Sequence, residues 1–104
     1  MTDASLIGAN LTTVDLYQAV LIRADLTDVG AEGGFFAEAI LRDANLTGGS
    51  FVGSNFIDAD LFEADLTNAD FTSASLATAD LTDTIQVGTI FTNARMPNNQ
   101  LNSP

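Results

Sequence analysis

The sequence predicts a solenoid, a chain wound into a coil that bends once every five residues. Three observations predict it. A large apolar residue recurs at every fifth position along almost the whole chain. That period suits neither a straight helix nor a straight strand. Apolar residues make up 46% of the 104, yet the longest apolar run is four residues, Ala19 to Ile22.

Counting in fives from Leu6 puts Leu6, Leu11, Leu16, Leu21, Leu26, Ala31, Phe36, Leu41, Leu46, Phe51, Phe56, Leu61, Leu66, Phe71, Leu76, Leu81, Gln86, Phe91 and Met96 in one register, and sixteen of these nineteen are Leu or Phe. Two residues earlier, twelve of nineteen positions are Ala; the others are Val14, Val29, Gly34, Gly49, Ser54, Thr84 and Thr89, all small or β-branched. The residue just before the large one is Asp or Asn at 10, 15, 25, 45, 55, 60, 65, 70 and 80. The unit reads A-(D/N)-(L/F)-x-x.

In a helix of about 3.6 residues per turn, steps of five would scatter the large residues round the rod. In a strand, an odd step would send successive ones to opposite faces. Neither buries them. A bend in every unit keeps them all inward, and repeated bending in one sense makes a coil. The small residue two positions earlier shares the inner side, where a methyl fits between close backbones. The other three positions face water.

Units such as Ala24-Asp25-Leu26-Thr27-Asp28, Ala64-Asp65-Leu66-Thr67-Asn68 and Ala79-Asp80-Leu81-Thr82-Asp83 fit every position of the motif. From about Ala4 to Met96 the chain resembles the pentapeptide-repeat family, whose motif is A(D/N)LXX. The resemblance implies a right-handed quadrilateral parallel β-helix, four units to a coil and one on each side. The nineteen units then make nearly five coils over residues 1–96, about 20–25 Å tall at the spacing of adjacent strands, with a tail at 97–104. The Phe residues agree with a coil of twenty. Phe36, Phe51, Phe56, Phe71 and Phe91 fall in two neighbouring columns at that period and scatter over three columns at fifteen.

Two stretches depart from the pattern. Residues 29–35 hold three Gly, the small Ala31 and the outward Phe35, and read either as a distorted side or as a protruding loop. In 84–91, Gln86 occupies a core position, and a buried amide needs a partner. A deformed last coil is expected there, with Pro97 and the polar residues 98–100 ending the ladder.

Fourteen acids against three Arg and no Lys give a net charge of −11. So few cations exclude a nucleic-acid-binding surface. With no Cys and no His, and a filled core in place of a cleft, no catalytic, cofactor or metal site is expected. No apolar run approaches the ~20 residues of a membrane span. The first residues lack a basic and apolar leader, so the expected compartment is the cytoplasm, or a lumenal or periplasmic one for a processed form.

The acids are unevenly placed. Asp43, Asp58, Asp60, Glu63, Asp80 and Asp83 gather on one edge of the prism, with the outward apolar residues Phe35, Ile40 and Phe62 close by. These nine are the candidate partner contacts. The expected role is a rigid scaffold or protein-interaction module, with a homodimer through a coil end or through the apolar patch as one form of contact. The alternative drawn from the resemblance is a DNA-mimicking protein that binds DNA gyrase, as some members of the family do.

Overall fold

The computed structural model describes residues 2–97 and 101–102. One local unit is repeated throughout. Each large apolar residue from Leu6 to Phe91 opens a four-residue turn, closed by an N–H three positions later; Ala24 N–H donates to the Leu21 carbonyl at 3.0 Å. The third residue of each turn has positive φ, between 55° at Thr13 and 70° at Gly48. That combination marks a type II turn. Gly, Asp or Asn fill twelve of these nineteen positions, and these residues tolerate left-handed backbone best.

Between turns, one residue per unit pairs in parallel with those twenty positions away. Ser5, Asp25, Asn45, Asp65 and Ile85 form one column; Asn10, Gly30, Ser50, Asp70 and Ile90 form the next. Asp15, Phe35, Asn55, Ser75 and Arg95 follow, then Val20, Ile40, Asp60 and Asp80. The result is an all-β solenoid with Cα extents of 32 × 24 × 20 Å.

Every N–H in a complete unit has an acceptor. Leu66 donates to Ile85 O at 2.8 Å, Asn68 to Val87 O at 2.9 Å, Ala69 to Leu66 O at 3.0 Å and Asp70 to Gly49 O at 2.9 Å. The fifth, Thr67 N–H, has no backbone partner in this geometry and donates to Asp65 Oδ1 at 3.0 Å. An unpaired backbone donor is costly wherever water is restricted, so the Asp or Asn of the motif completes the unit. All nine such residues accept this bond.

The interior is filled by the large residues. Leu21, Leu26, Phe36, Leu41, Leu46, Phe51, Phe56, Leu61, Leu66, Phe71 and Leu76 are wholly buried. The rings stack within columns, Phe36 on Phe56 at 4.6 Å and Phe51 on Phe71 at 5.0 Å, and meet edge to face across columns, Phe51 to Phe56 at 5.5 Å. Phe91 stacks on Phe71 at 5.6 Å. Leu6, Leu11, Leu16 and Leu81 are only half-buried because they lie at the coil ends.

The backbone stays regular through 29–35, in contrast to the distorted side or loop expected there. Gly30 and Phe35 each bridge the coils before and after. The glycines have local causes. Gly33 takes the left-handed turn position at φ 68°. At Gly34 a Cβ would lie 2.6 Å from Cε2 of Phe36. Ala31 is fully buried, with Leu11 and Phe51 before and after it in its column. Residues 84–91 keep their bridges as well, at Ile85 and Ile90. Gln86 is exposed rather than buried and donates from Nε2 to Thr84 Oγ1 at 2.7 Å, because no described coil covers it. Of the expected tail, Leu101–Asn102 (β2) pairs antiparallel with Ala94–Arg95 (β1); residues 98–100, 103 and 104 lie outside the described residues.

Candidate interaction face

Because residues twenty apart stack, side chains distant in sequence form vertical rows on the surface. Two adjoining sides carry the candidate contacts. The first holds the column of Val20, Ile40, Asp60 and Asp80 together with the turn residues that follow each. Asp60 and Asp80 are both turn acceptors, for Phe62 N–H at 3.1 Å and Thr82 N–H at 2.9 Å. Asp60 also pairs with Arg42, Oδ2 to Nε 2.6 Å. The Arg42 guanidinium lies 5.1 Å from the centroid of Phe62. Ring and carboxylate thus hold one cation between them. Asp60 and, more weakly, Asp80 and Asp43 keep the guanidinium firmly protonated.

Asp43, Glu63 and Asp83 occupy successive left-handed turn positions and are exposed. Asp3 and Arg23 stand lower in the same row and pair at 2.8 Å, which holds the Asp3 carboxyl below the ordinary range. Ile40 is half-buried.

The second side carries Phe35. Its ring stacks on Tyr17 at 5.6 Å and 12°, and the two remain 37% and 47% exposed. The Tyr17 hydroxyl donates to Glu38 Oε2 at 3.3 Å, and Gln18 Nε2 donates to Glu38 Oε1 at 3.0 Å. The negative charge of Glu38 raises the pKa of the Tyr17 phenol. Ile57 is exposed on this side. Asp58 accepts from the Thr78 hydroxyl.

The candidate contacts therefore form two groups. Asp60, Asp80, Phe62 and Ile40 belong with Arg42; Phe35 belongs with Tyr17 and Glu38. Sequence reasoning marked Phe35 as outward but missed its stacking on Tyr17 and the part played by Glu38. The signal lay in the eighteen-residue separation, which puts one aromatic just before a turn and the other inside the turn one coil earlier. Among the described residues no group of His, Cys, Asp or Glu is arranged to hold a metal ion, and no helix is long and apolar enough to cross a membrane.

Residues 1–29 and 39–76 match the family model for pentapeptide repeats in eight copies, more than half of the chain. With the five-residue turns and the twenty-residue stacking, this places the chain in the pentapeptide-repeat family. Its structure is similar to a pentapeptide repeat protein of the Arabidopsis thaliana thylakoid lumen, with a TM-score of 0.87 and 23% identity over 89% of this chain and 65% of that one. The chain thus spans just under two thirds of the plant protein's length. It is also similar to a pentapeptide repeat protein from the cyanobacterium Cyanothece 51142, with a TM-score of 0.65 and 23% identity over 96% of this chain and 88% of that one. Both likenesses show the fold. No curated protein sequence matches the chain.

Proposed function

We propose that the chain is a non-enzymatic scaffold that binds a protein partner through the two adjoining sides that carry Tyr17, Phe35, Ile40 and Phe62. The carrying observation is the exposed Tyr17–Phe35 stack. Large apolar groups left open beside carboxylates, on a hydrogen-bonded frame, offer contact area at little ordering cost. In this reading the prism is a right-handed quadrilateral β-helix of nearly five coils. Asp43, Asp58, Asp60, Glu63, Asp80 and Asp83 form the acidic border of the contact. A homodimer would use the same apolar patch or the coil end where Leu6, Leu11 and Leu16 are half-buried. Cytoplasmic residence goes with this reading; the plant neighbour comes from the thylakoid lumen.

The alternative is mimicry of DNA toward gyrase. The row of Asp43, Glu63 and Asp83 favours it, since their charges repeat along the prism axis. Pairing of Arg23 with Asp3 and of Arg42 with Asp60 interrupts the negative surface.

Affinity capture from the source cell tests the proposal. A partner retained by the wild type and by Thr47→Lys on another side, but lost with Tyr17→Ala or with Phe62→Ser, supports it. Equal retention by all four contradicts it. Inhibition of gyrase supercoiling by the purified chain, relieved by added DNA, would instead select the mimic.

A further inference from the structure

We propose that the Tyr17–Phe35 stack and the adjacent Glu38 carboxylate dock an arginine-bearing basic segment of a protein partner. The inference rests on the reading that these sides bind protein, and it names the chemistry of what they bind.

The chain shows the mode of recognition on the neighbouring side. There Arg42 lies 5.1 Å from the Phe62 ring centroid while its Nε meets Asp60 at 2.6 Å. Ring and carboxylate together satisfy one guanidinium. Among the described residues, the Tyr17–Phe35 side presents the same two elements without a cation. Its rings are exposed and nearly parallel. Glu38 accepts only from the neutral Tyr17 hydroxyl and Gln18 amide among the described contacts. Each of these bonds has a neutral donor, so a guanidinium would add the opposite charge and the two-pronged geometry that neither donor offers.

The chain has little means of supplying that cation itself. It has three Arg and no Lys. Arg23 is paired with Asp3, and Arg42 with Asp60. Arg95 stands in the Phe35 column, but Asn55 and Ser75 lie between them. A net charge of −11 favours a basic partner in long-range encounter. The rings then favour Arg over Lys, because a planar guanidinium lies flat on an aromatic face and still offers a fork to a carboxylate.

The test uses the ¹⁵N-labelled full chain titrated with an alternating Arg-Gly decapeptide and with its Lys-Gly counterpart. The expected result is chemical-shift change centred on Tyr17, Phe35 and Glu38, with the Arg peptide binding several-fold more tightly. Tyr17→Ala and Glu38→Gln should each weaken the Arg peptide by about tenfold, with the melting temperature held near wild type because both groups are exposed. Equal binding of the two peptides, with shifts spread over Asp43, Glu63 and Asp83, would overturn the inference, as would no binding. A cellular partner that survives Tyr17→Ala but is lost with Phe62→Ser would overturn this inference alone. Retention through both changes would overturn the broader reading.

Discussion

The ring of Phe36 lies 4.6 Å from that of Phe56, within 11° of parallel, with twenty residues of chain between them. This contact ties the five-residue period to the fold, because only a coil closing after four units brings the two rings together. It also identifies where stability is concentrated. Phe56 is wholly buried and touches Phe36, Phe51 and Phe71.

Truncation of Phe56 to Ala should therefore cost about 3–5 kcal/mol. Phe56→Leu, which keeps most of the volume, should cost less than about 1.5 kcal/mol. Urea unfolding followed by far-ultraviolet circular dichroism measures both. Leu6→Ala should fall below the range for a buried Leu, since Leu6 is only half-buried at the coil end.

The turn acceptors lead to a second expectation. Asp65 receives both Thr67 N–H at 3.0 Å and the Thr67 hydroxyl at 2.5 Å. Asp65→Ala removes both and should cost about 1–2 kcal/mol, while Asp65→Asn keeps an acceptor and should cost less. Denaturant midpoints for the two variants separate loss of the bonds from loss of the charge.

Gly34 and Gly49 provide a third. At each, a Cβ would lie 2.6 Å from Cε2 of a core ring, Phe36 or Phe51. Those rings are locked in the stack, so Gly34→Ala or Gly49→Ala should destabilise by about 1–3 kcal/mol. Gly53 has open space around its Cβ position and a φ of 68°. Gly53→Asn should be milder, because Asn tolerates the left-handed region.

Acid should weaken the fold at a defined place. Asp80 is held below its ordinary pKa of 3.8 by hydrogen bonds from the side chain and backbone of Thr82. Glu32 is held below 4.5, chiefly by its own backbone N–H and then by Ser50. A depressed folded pKa gives stability that is present above the unfolded value and lost as pH falls through the folded one. Melting temperature should therefore drop below about pH 4, and less steeply for Asp80→Asn, which cannot titrate there. Thermal scans in about 1 M salt remove most of the opposing relief of acid–acid repulsion.

Much of the fold was legible because its chemistry is local and repeated. The step of five, the Ala two before most of the Leu and Phe residues and the two Phe columns led to the wound coil. Other features were hidden by equivalence. Asp and Asn just before the large residue looked like solvated groups, yet they complete the backbone of the next turn. The Gly at 30, 33 and 34 looked like a break because glycine usually marks one. Here one lies in the left-handed position that Asp or Asn fills elsewhere, and another yields to a ring. The candidate face was half legible. Phe35 was seen to point outward, but its contact with Tyr17 depends on lateral placement between coils, which a period cannot give.

The most direct test of the account is the set of proton–proton contacts among the Phe rings in a nuclear Overhauser spectrum of the full chain. Contacts from Phe36 to Phe56, from Phe51 to Phe71 and from Phe71 to Phe91 are predicted. Their absence, with only the lateral contacts of Phe36 to Phe51 and of Phe56 to Phe71 remaining, would contradict the stacking on which both the core and the proposed binding face depend.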